Sequence, residues 1–469
     1  MLGSNFEPYT KNLNNARVVF GAGVIVGDDN FQNIISSRLT FVDKSMLIKE
    51  FIESSDFVSL VLRPRRFGKS TNLSMLEHFF KISYSQEEND ISRKLFEKLK
   101  ISTENEIMRK HFAQYPVIHI SLKDLNARTW NEMIEYLRIF VSKVYNEHYY
   151  LIDNLRPHEQ TTYQQILKKT CDVSELEFSL KTLSMYLRRH YNKKCIVLVD
   201  EYDSPMERAY NEGYYKEANY FLKDMFSSLL KSNSENVAKA MLVGILRITK
   251  SGFLSGLKNL MVYPLHQESR FHLYADKFGF TSDEVELLFS QYKYLQINDV
   301  QKWYDGYISG GSIHLYNPWS IICLISCGKL SAYWTDTGST QKLEKYLWKA
   351  SSSFKESVEK LLKGESITNV KIQDDLQFSH LDENRDLAIW TLLYYAGYLT
   401  INSENHLFIP NDEVRSEWHR WVVNVPFFTK EQTIESMLDC LLGGNLDSFK
   451  KFKKEFKQVI VDTLSFYDV

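Results

Sequence analysis

The run Arg63-Pro64-Arg65-Arg66-Phe67-Gly68-Lys69-Ser70 contains the residue types that hold a phosphate. Gly68 lets the main chain approach an anion, Lys69 supplies a point charge, and the Ser70 hydroxyl can ligate Mg2+. A helix starting there adds its free N–H groups and positive dipole end, with Thr71 in its first turn. From its fifth position onward the spacing is that of GxxxxGK[ST], the Walker A loop; Arg63 stands where the leading glycine would be. Arg63, Arg65 and Arg66 could clamp phosphates, with structural roles or contact with a nucleic-acid strand as alternatives. Gly-Lys-Ser alone is a common string. Its weight comes from lying between a strand and a helix.

A second half-site should be a buried strand ending in acid, and Cys195-Ile196-Val197-Leu198-Val199-Asp200-Glu201 supplies it. Asp200 would hold Mg2+ through water, and Glu201 would orient and deprotonate an attacking water. Asp203 lies near enough to tune either carboxylate. The plain alternative is an acidic strand end that is polar because it meets solvent. A third part is expected after the run 240–246, where Arg247 could contact a terminal phosphate as an arginine finger in cis and Thr249 could sense it by a hydrogen bond. The alternative for Arg247 is a surface salt bridge.

The elements that must position these groups follow from hydrophobic pattern. Near-continuous apolar runs at 57–62, 117–120, 196–199 and 240–246 read as strands buried on both faces. Between them, 70–81, 130–149, 176–191 and 214–231 carry apolar residues at three- and four-residue spacing. The fold class is therefore α/β, a three-layer sandwich around a parallel sheet. After about Phe278 helices dominate, starting at the capped Phe280-Thr281-Ser282-Asp283-Glu284. A helix at 387–397, two short strands around Asn402-Ser403-Glu404-Asn405 and a helix at 413–423 suggest a winged-helix-like unit. The expected organisation is a leader (1–35), the α/β domain (36–277), a helical domain (278–380), the winged-helix-like unit (381–425) and a C-terminal helical segment (426–469). In that last segment, Phe449, Phe452, Phe456 and Ile460 with interleaved lysines read as a helix with a solvated face, a nucleic-acid contact being the alternative.

The 469 residues carry 57 Lys+Arg against 59 Asp+Glu, so no bulk basic balance points to nucleic acid or an acidic membrane. Five scattered cysteines form no disulfide framework, and Cys323 and Cys327 read as structural thiols on one helical face. No signal peptide or membrane span is visible, which leads to the expectation of an intracellular, cytoplasmic protein with no membrane partner. The histidines do not cluster at zinc-ligand spacing. Gly252-Phe253-Leu254-Ser255-Gly256 is one residue off a nucleophile elbow and follows the wrong kind of strand. Trp303–Tyr307 with Tyr316–Trp319 reads as a packed aromatic core at a domain junction, with a ligand platform as the alternative.

These residues together resemble the predicted AAA-ATPase-like family, P-loop NTPases often fused to a PD-(D/E)xK-type nuclease domain. The likeness is carried by Phe41-Val42-Asp43-Lys44-Ser45, the arginine-rich loop, Val199-Asp200-Glu201-Tyr202-Asp203-Ser204-Pro205, Gly244-Ile245-Leu246-Arg247-Ile248, Trp303-Tyr304-Asp305-Gly306-Tyr307, Tyr316-Asn317-Pro318-Trp319-Ser320 and Ala396-Gly397-Tyr398-Leu399-Thr400. It spans nearly the whole chain, and an arginine at the loop's first position is usual in that family. It implies a P-loop ATPase core that binds ATP and Mg2+, with Lys69 and Ser70 on phosphate and metal and Asp200 and Glu201 as the Walker B acids. The choice of ATP over GTP rests on this likeness. No strand-borne Asp followed by Glu-x-Lys comes after the winged-helix-like region, so nuclease activity is not assigned. Hydrolysis that moves the C-terminal domain is the first reading. A nucleotide-dependent regulatory module that engages nucleic acid or protein with negligible hydrolysis is the second, and a degenerate relative with an empty pocket the third.

Overall fold

A computed structural model describes residues 7–248, 254, 257–266, 273–292, 296–334, 346–347, 350–368, 370–373, 376, 378–383 and 385–424. Strands β1 (Tyr9–Leu13) and β2 (Ala16–Phe20) form a hairpin whose second strand pairs antiparallel with β3 (Phe41–Val42). The central sheet contains β4 (Val58–Leu62), β5 (Val117–Ser121), β6 (Cys195–Asp200), β7 (Val237–Gly244) and β8 (Leu260–Tyr263). All pairings are parallel, in the spatial order β5-β6-β7-β4-β8. β7 therefore lies between the strand that feeds the arginine-rich loop and the strand that ends in Asp200.

Period-two alternation sorts each strand's side chains between two cores, as it must in a sheet covered on both faces. Leu60, Leu62, Val197, Val199 and Leu242 enter one cluster, while Val61, Ile196, Leu198, Met241 and Val243 enter the other. All ten are at most 1% exposed. At roughly 1.5–3 kcal/mol for each fully buried aliphatic side chain, this alternation fixes strand register. Helices Lys69–Phe80, Trp130–Glu147, Val173–Tyr191 and Tyr215–Leu230 cover the faces. This is the α/β sandwich expected from the apolar runs. The pattern did not single out β8. It is four residues long, and Met261 is half exposed, as suits an edge strand.

Helix Ser282–Gln291 opens the second region through a Thr281/Glu284 capping box, as the sequence indicates. Glu284 has a further use, because Lys44 is bonded to both its carboxylate oxygens at 2.5 and 2.7 Å. A small antiparallel sheet contains β9 (Phe280–Thr281), β10 (Tyr307–Ser309) and β11 (Ile313–Tyr316), in the order β10-β11-β9. The hairpin at β1 and β2 buries Ala16, Val18 and Phe20 against Val285, Leu288 and Leu324, so residues taken as a leader share a core with the helical region. Farther on, helix Asp386–Ala396 is stopped by Gly397. It leads into the two-stranded pair β12 (Thr400–Ile401) and β13 (Leu407–Phe408), then helix Asp412–Asn424. Helix, hairpin, helix is the order expected. The C-terminal segment from 425 onward lies outside the described residues. Among the described residues, no helix is long and apolar enough to cross a membrane.

Candidate functional site

Parallel strands release their chains at the same sheet edge, so the segments after β4, β5, β6 and β7 converge there. β4 runs into the loop, and the loop into helix Lys69–Phe80, whose N-cap is Gly68 at φ 77°. That left-handed conformation is where glycine is permissive, and a Cβ there would point into open space. No other group lies within 4 Å of that point. Ser70 Oγ donates to Asp200 Oδ2 at 2.5 Å, so the two half-sites meet directly despite the strand between them. Asp200 is 5% exposed, and its other oxygen accepts from the Glu201 N–H at 2.9 Å.

Lys69 is buried, with Nζ donating to the carbonyls of Arg63 at 3.0 Å and Pro64 at 2.7 Å. Burial lowers its ammonium to about 8, against the opposing pull of Asp200, Asp203 and Glu201. Glu201 has φ 49° and faces the cavity. Burial and the charge of Asp200 raise its carboxyl above the ordinary value, while Lys69, Lys123 and Arg65 oppose the rise. Asp203 plays a structural part. Its Oδ2 accepts from the N–H groups of Ile245 at 3.0 Å and Leu246 at 2.6 Å, tying the end of β7 to the acidic strand. Burial pushes its carboxyl up to about 6.

A cavity of about 480 Å³ opens between these groups. Arg65, Arg66, Phe67, Gly68, Lys69, Ser70, Thr71 and Glu201 all line it. Ile25, Val26, Phe41, Trp319 and Ile322 line it as well, together with Asp28 and Asp29. Ile25 and Val26 are 42% and 39% exposed, large apolar side chains left open to solvent. A cavity of this volume, with both charged and apolar lining residues, has the size and character of a nucleotide-sized ligand site. The Ser70 hydroxyl beside the Asp200 carboxylate also fits Mg2+, which favours hard oxygen donors and keeps positions for water and phosphate oxygens.

Two expected site residues are placed elsewhere. Arg63 is 2% exposed and does not line the cavity. Its guanidinium donates to the carbonyls of Leu62 (2.8 Å), Tyr263 (3.0 Å) and Tyr274 (3.0 Å), fastening the end of β4 to the end of β8. An arginine needs acceptors when buried, and two strand-end carbonyls and one turn carbonyl supply them. Arg247 is also absent from the cavity wall, where Ile245 is the last residue from that segment. Its carbonyl instead accepts from the Leu376 N–H at 2.8 Å. Thr249 lies outside the described residues. Trp319, read as a core aromatic, lines the cavity with the Arg66 guanidinium 4.1 Å from its ring centroid. Cys327, read as a structural thiol, is exposed, whereas Cys323 is buried.

Sequence reasoning missed Lys123, which follows β5 and lines the cavity beside the acidic strand end. Its only signal was position, two residues beyond a strand at the edge where the others converge. Lys44 and Lys277 also line the wall, but both are held by carboxylates: Lys44 by Glu284, and Lys277 by Glu50 at 2.9 Å and Asp276 at 2.5 Å.

With this geometry in view, the chain can be set beside known proteins. It is 25% identical over 363 residues to an uncharacterized protein encoded in the vnfD 5' region of Azotobacter chroococcum mcd 1, covering 77% of this chain and 60% of that protein. The chain thus spans about 60% of the length of that relative. Among solved structures, the ORC2 protein of Aeropyrum pernix, solved as ADPNP-ADP complexes, matches over 81% of this chain and 92% of its own, with 10% identity and a TM-score of 0.23. Residues 25–254, which hold the loop, the acidic strand and most of the sheet, match the family described as predicted AAA-ATPase. Over that stretch the chain is similar to the predicted AAA-ATPase family.

Proposed function

We propose that this protein binds ATP with Mg2+ in the cavity between the loop 63–70 and the end of β6, and hydrolyses it. The observation that carries the reading is the Ser70–Asp200 bond at 2.5 Å, which joins the two half-motifs at the N-terminus of a helix. In this reading the amides following Gly68 and the Lys69 ammonium hold the phosphates, and Arg65 and Arg66 screen their charge at the mouth. Ile25, Val26, Phe41 and Trp319 give the base and sugar an apolar seat. Mg2+, bound by Ser70 and by Asp200 through water, would neutralise charge on the terminal phosphate oxygens. Glu201 orients a water. Its oxygen bonds to the γ-phosphorus as the bond to the bridging oxygen breaks, the electron pair leaves with ADP, and the proton passes to Glu201. The raised affinity of Glu201 for a proton suits that task.

Hydrolysis would bear on the helical region through the loop itself. The Arg65 carbonyl accepts from Asn317 and Trp334 side chains at 3.3 and 3.1 Å, and Phe67 packs edge-on against Tyr307 with centroids 5.0 Å apart. Such ties support a role in which nucleotide state sets the position of this region and of the winged-helix-like unit. Nucleic acid or protein would be the partner engaged by that unit. Calorimetric titration with ATP and GTP in the presence of Mg2+, paired with phosphate release with and without DNA, tests the proposal. Failure of both nucleotides to bind would end it. Binding without phosphate release in either condition would leave a nucleotide-dependent switch.

A further inference from the structure

The geometry points to Lys123 as a second cation on the terminal phosphate, filling in cis the place that the sequence suggested for Arg247. The inference rests on the ATP-binding reading above. Six cationic side chains line the cavity, and four have other engagements. Lys44 and Lys277 are in ion pairs, Arg66 lies over Trp319, and Lys69 holds two loop carbonyls. Arg65 and Lys123 have no carboxylate partner among the described residues. Arg65 belongs to the loop, so its charge falls on the same side as Lys69. Lys123 comes from the other side.

Its backbone is well fixed. The Leu122 N–H donates to the Asp200 carbonyl at 3.1 Å, and Leu125 N–H closes a turn onto the Leu122 carbonyl at 3.3 Å. Leu122 and Leu125 are 1% and 3% exposed, so the segment is pinned by two buried leucines with Lys123 projecting between them. A lysine that lines the cavity near the Glu201 carboxylate, opposite the helix terminus at Lys69, matches an anion whose charge lies between them. The phosphate nearest Glu201 is the one attacked. A cation there stabilises the charge that spreads over the transferring phosphoryl oxygens, the contribution that the arginine finger makes elsewhere. Its stake is in triphosphate over diphosphate and in turnover, not in nucleotide binding as such.

The test uses full-length protein with Lys123→Ala and Lys123→Arg. Calorimetry with ADP and with ATPγS, both with Mg2+, is read alongside steady-state phosphate release and thermal melting. For Lys123→Ala, ADP affinity should stay within about twofold of wild type, ATPγS affinity should fall about tenfold and turnover about 100-fold. Lys123→Arg should recover most of both. The exposed side chain should leave melting unchanged. An unaltered ATPγS-to-ADP affinity ratio with wild-type turnover would overturn the inference, as would equal losses for both nucleotides, which mark a general or structural charge. Wild-type protein that binds neither nucleotide would overturn the underlying reading, a result visible before any variant is made.

Discussion

The acidic strand end and the arginine-rich loop line one cavity, but different parts of the chain hold them. Asp200, Glu201, Tyr202 and Asp203 are secured within the sheet, by the Glu201 N–H, the Ile245 and Leu246 N–H groups and the Leu246 carbonyl. On the loop, Arg63 is secured to the sheet, while Arg65, Arg66 and Phe67 are secured by residues from 307 to 334. Pro64 meets the helical region as well. Gly397, at φ 95°, lies so near that a Cβ on it would come within 2.8 Å of Pro64 Cβ. The acids cannot shift without disturbing strand ends. The loop can shift only if the second region follows.

The strongest way to break this contrast is Lys69→Ala, which removes the loop's central charge. Nucleotide affinity should fall by about 100-fold or more by calorimetry, and wild-type affinity would refute the placement of the phosphates. Glu201→Gln probes the opposite side. It should bind ATP near normally while turnover drops about 100-fold, and equal turnover would remove Glu201 as the base. Phe67→Ala tests the mechanical tie. Loss of a fully buried ring should cost about 3 kcal/mol in denaturant melts, and nucleotide should protect the helical region from proteolysis less than in wild type. If protection by nucleotide were unchanged, the loop would not be the link.

The smallest effect concerns a pair away from the cavity. His119 on β5 bonds Glu77 Oε2 at 2.7 Å. Burial opposes the Glu77 carboxylate, but His119 and Lys81 together hold it down to about 2. Burial likewise opposes the His119 cation, and the Glu77 bond and charge outweigh it, with smaller support from Asp200 and Glu147. A raised histidine contributes stability below its ordinary 6.5, lost as pH rises through its folded value. A depressed glutamate contributes stability above its ordinary 4.5, lost as pH falls toward about 2. The pair should therefore stabilise most between those ordinary values. His119→Gln should flatten the alkaline decline in melting temperature by about 2 °C, and an identical decline would show that other groups cause it.

Much of the sheet was legible because strands buried on two faces must be continuously apolar, which a one-dimensional pattern displays. Gly68, Lys69, Ser70, Asp200 and Glu201 were legible because their spacing relative to strand ends is local. Arg63 was not, since the acceptors its guanidinium reaches depend on β8 and on Tyr274, distant in sequence, and neither was the placing of Arg247, whose carbonyl accepts from the equally distant Leu376 N–H. Lys123 was hidden for the same reason: nothing in Ser121-Leu122-Lys123 marks the lysine until neighbouring strands place its end beside Asp200. Trp319 reads as core because aromatic residues near turns usually are, and only the folded chain brings Arg66 over its ring.

Arg63 has a consequence that contact alone does not describe. Its positive charge sits sealed beneath the loop, ringed by carbonyl oxygens and with no carboxylate neighbour among the described residues; burial brings its guanidinium down to about 10, still charged at neutral pH. Charge held in so poorly polarisable a setting is felt over several ångströms and is little damped by dissolved ions. The arginine in place of a glycine thus acts as an electrostatic keel, drawing anions toward the loop without touching them, and part of that attraction should persist in brine.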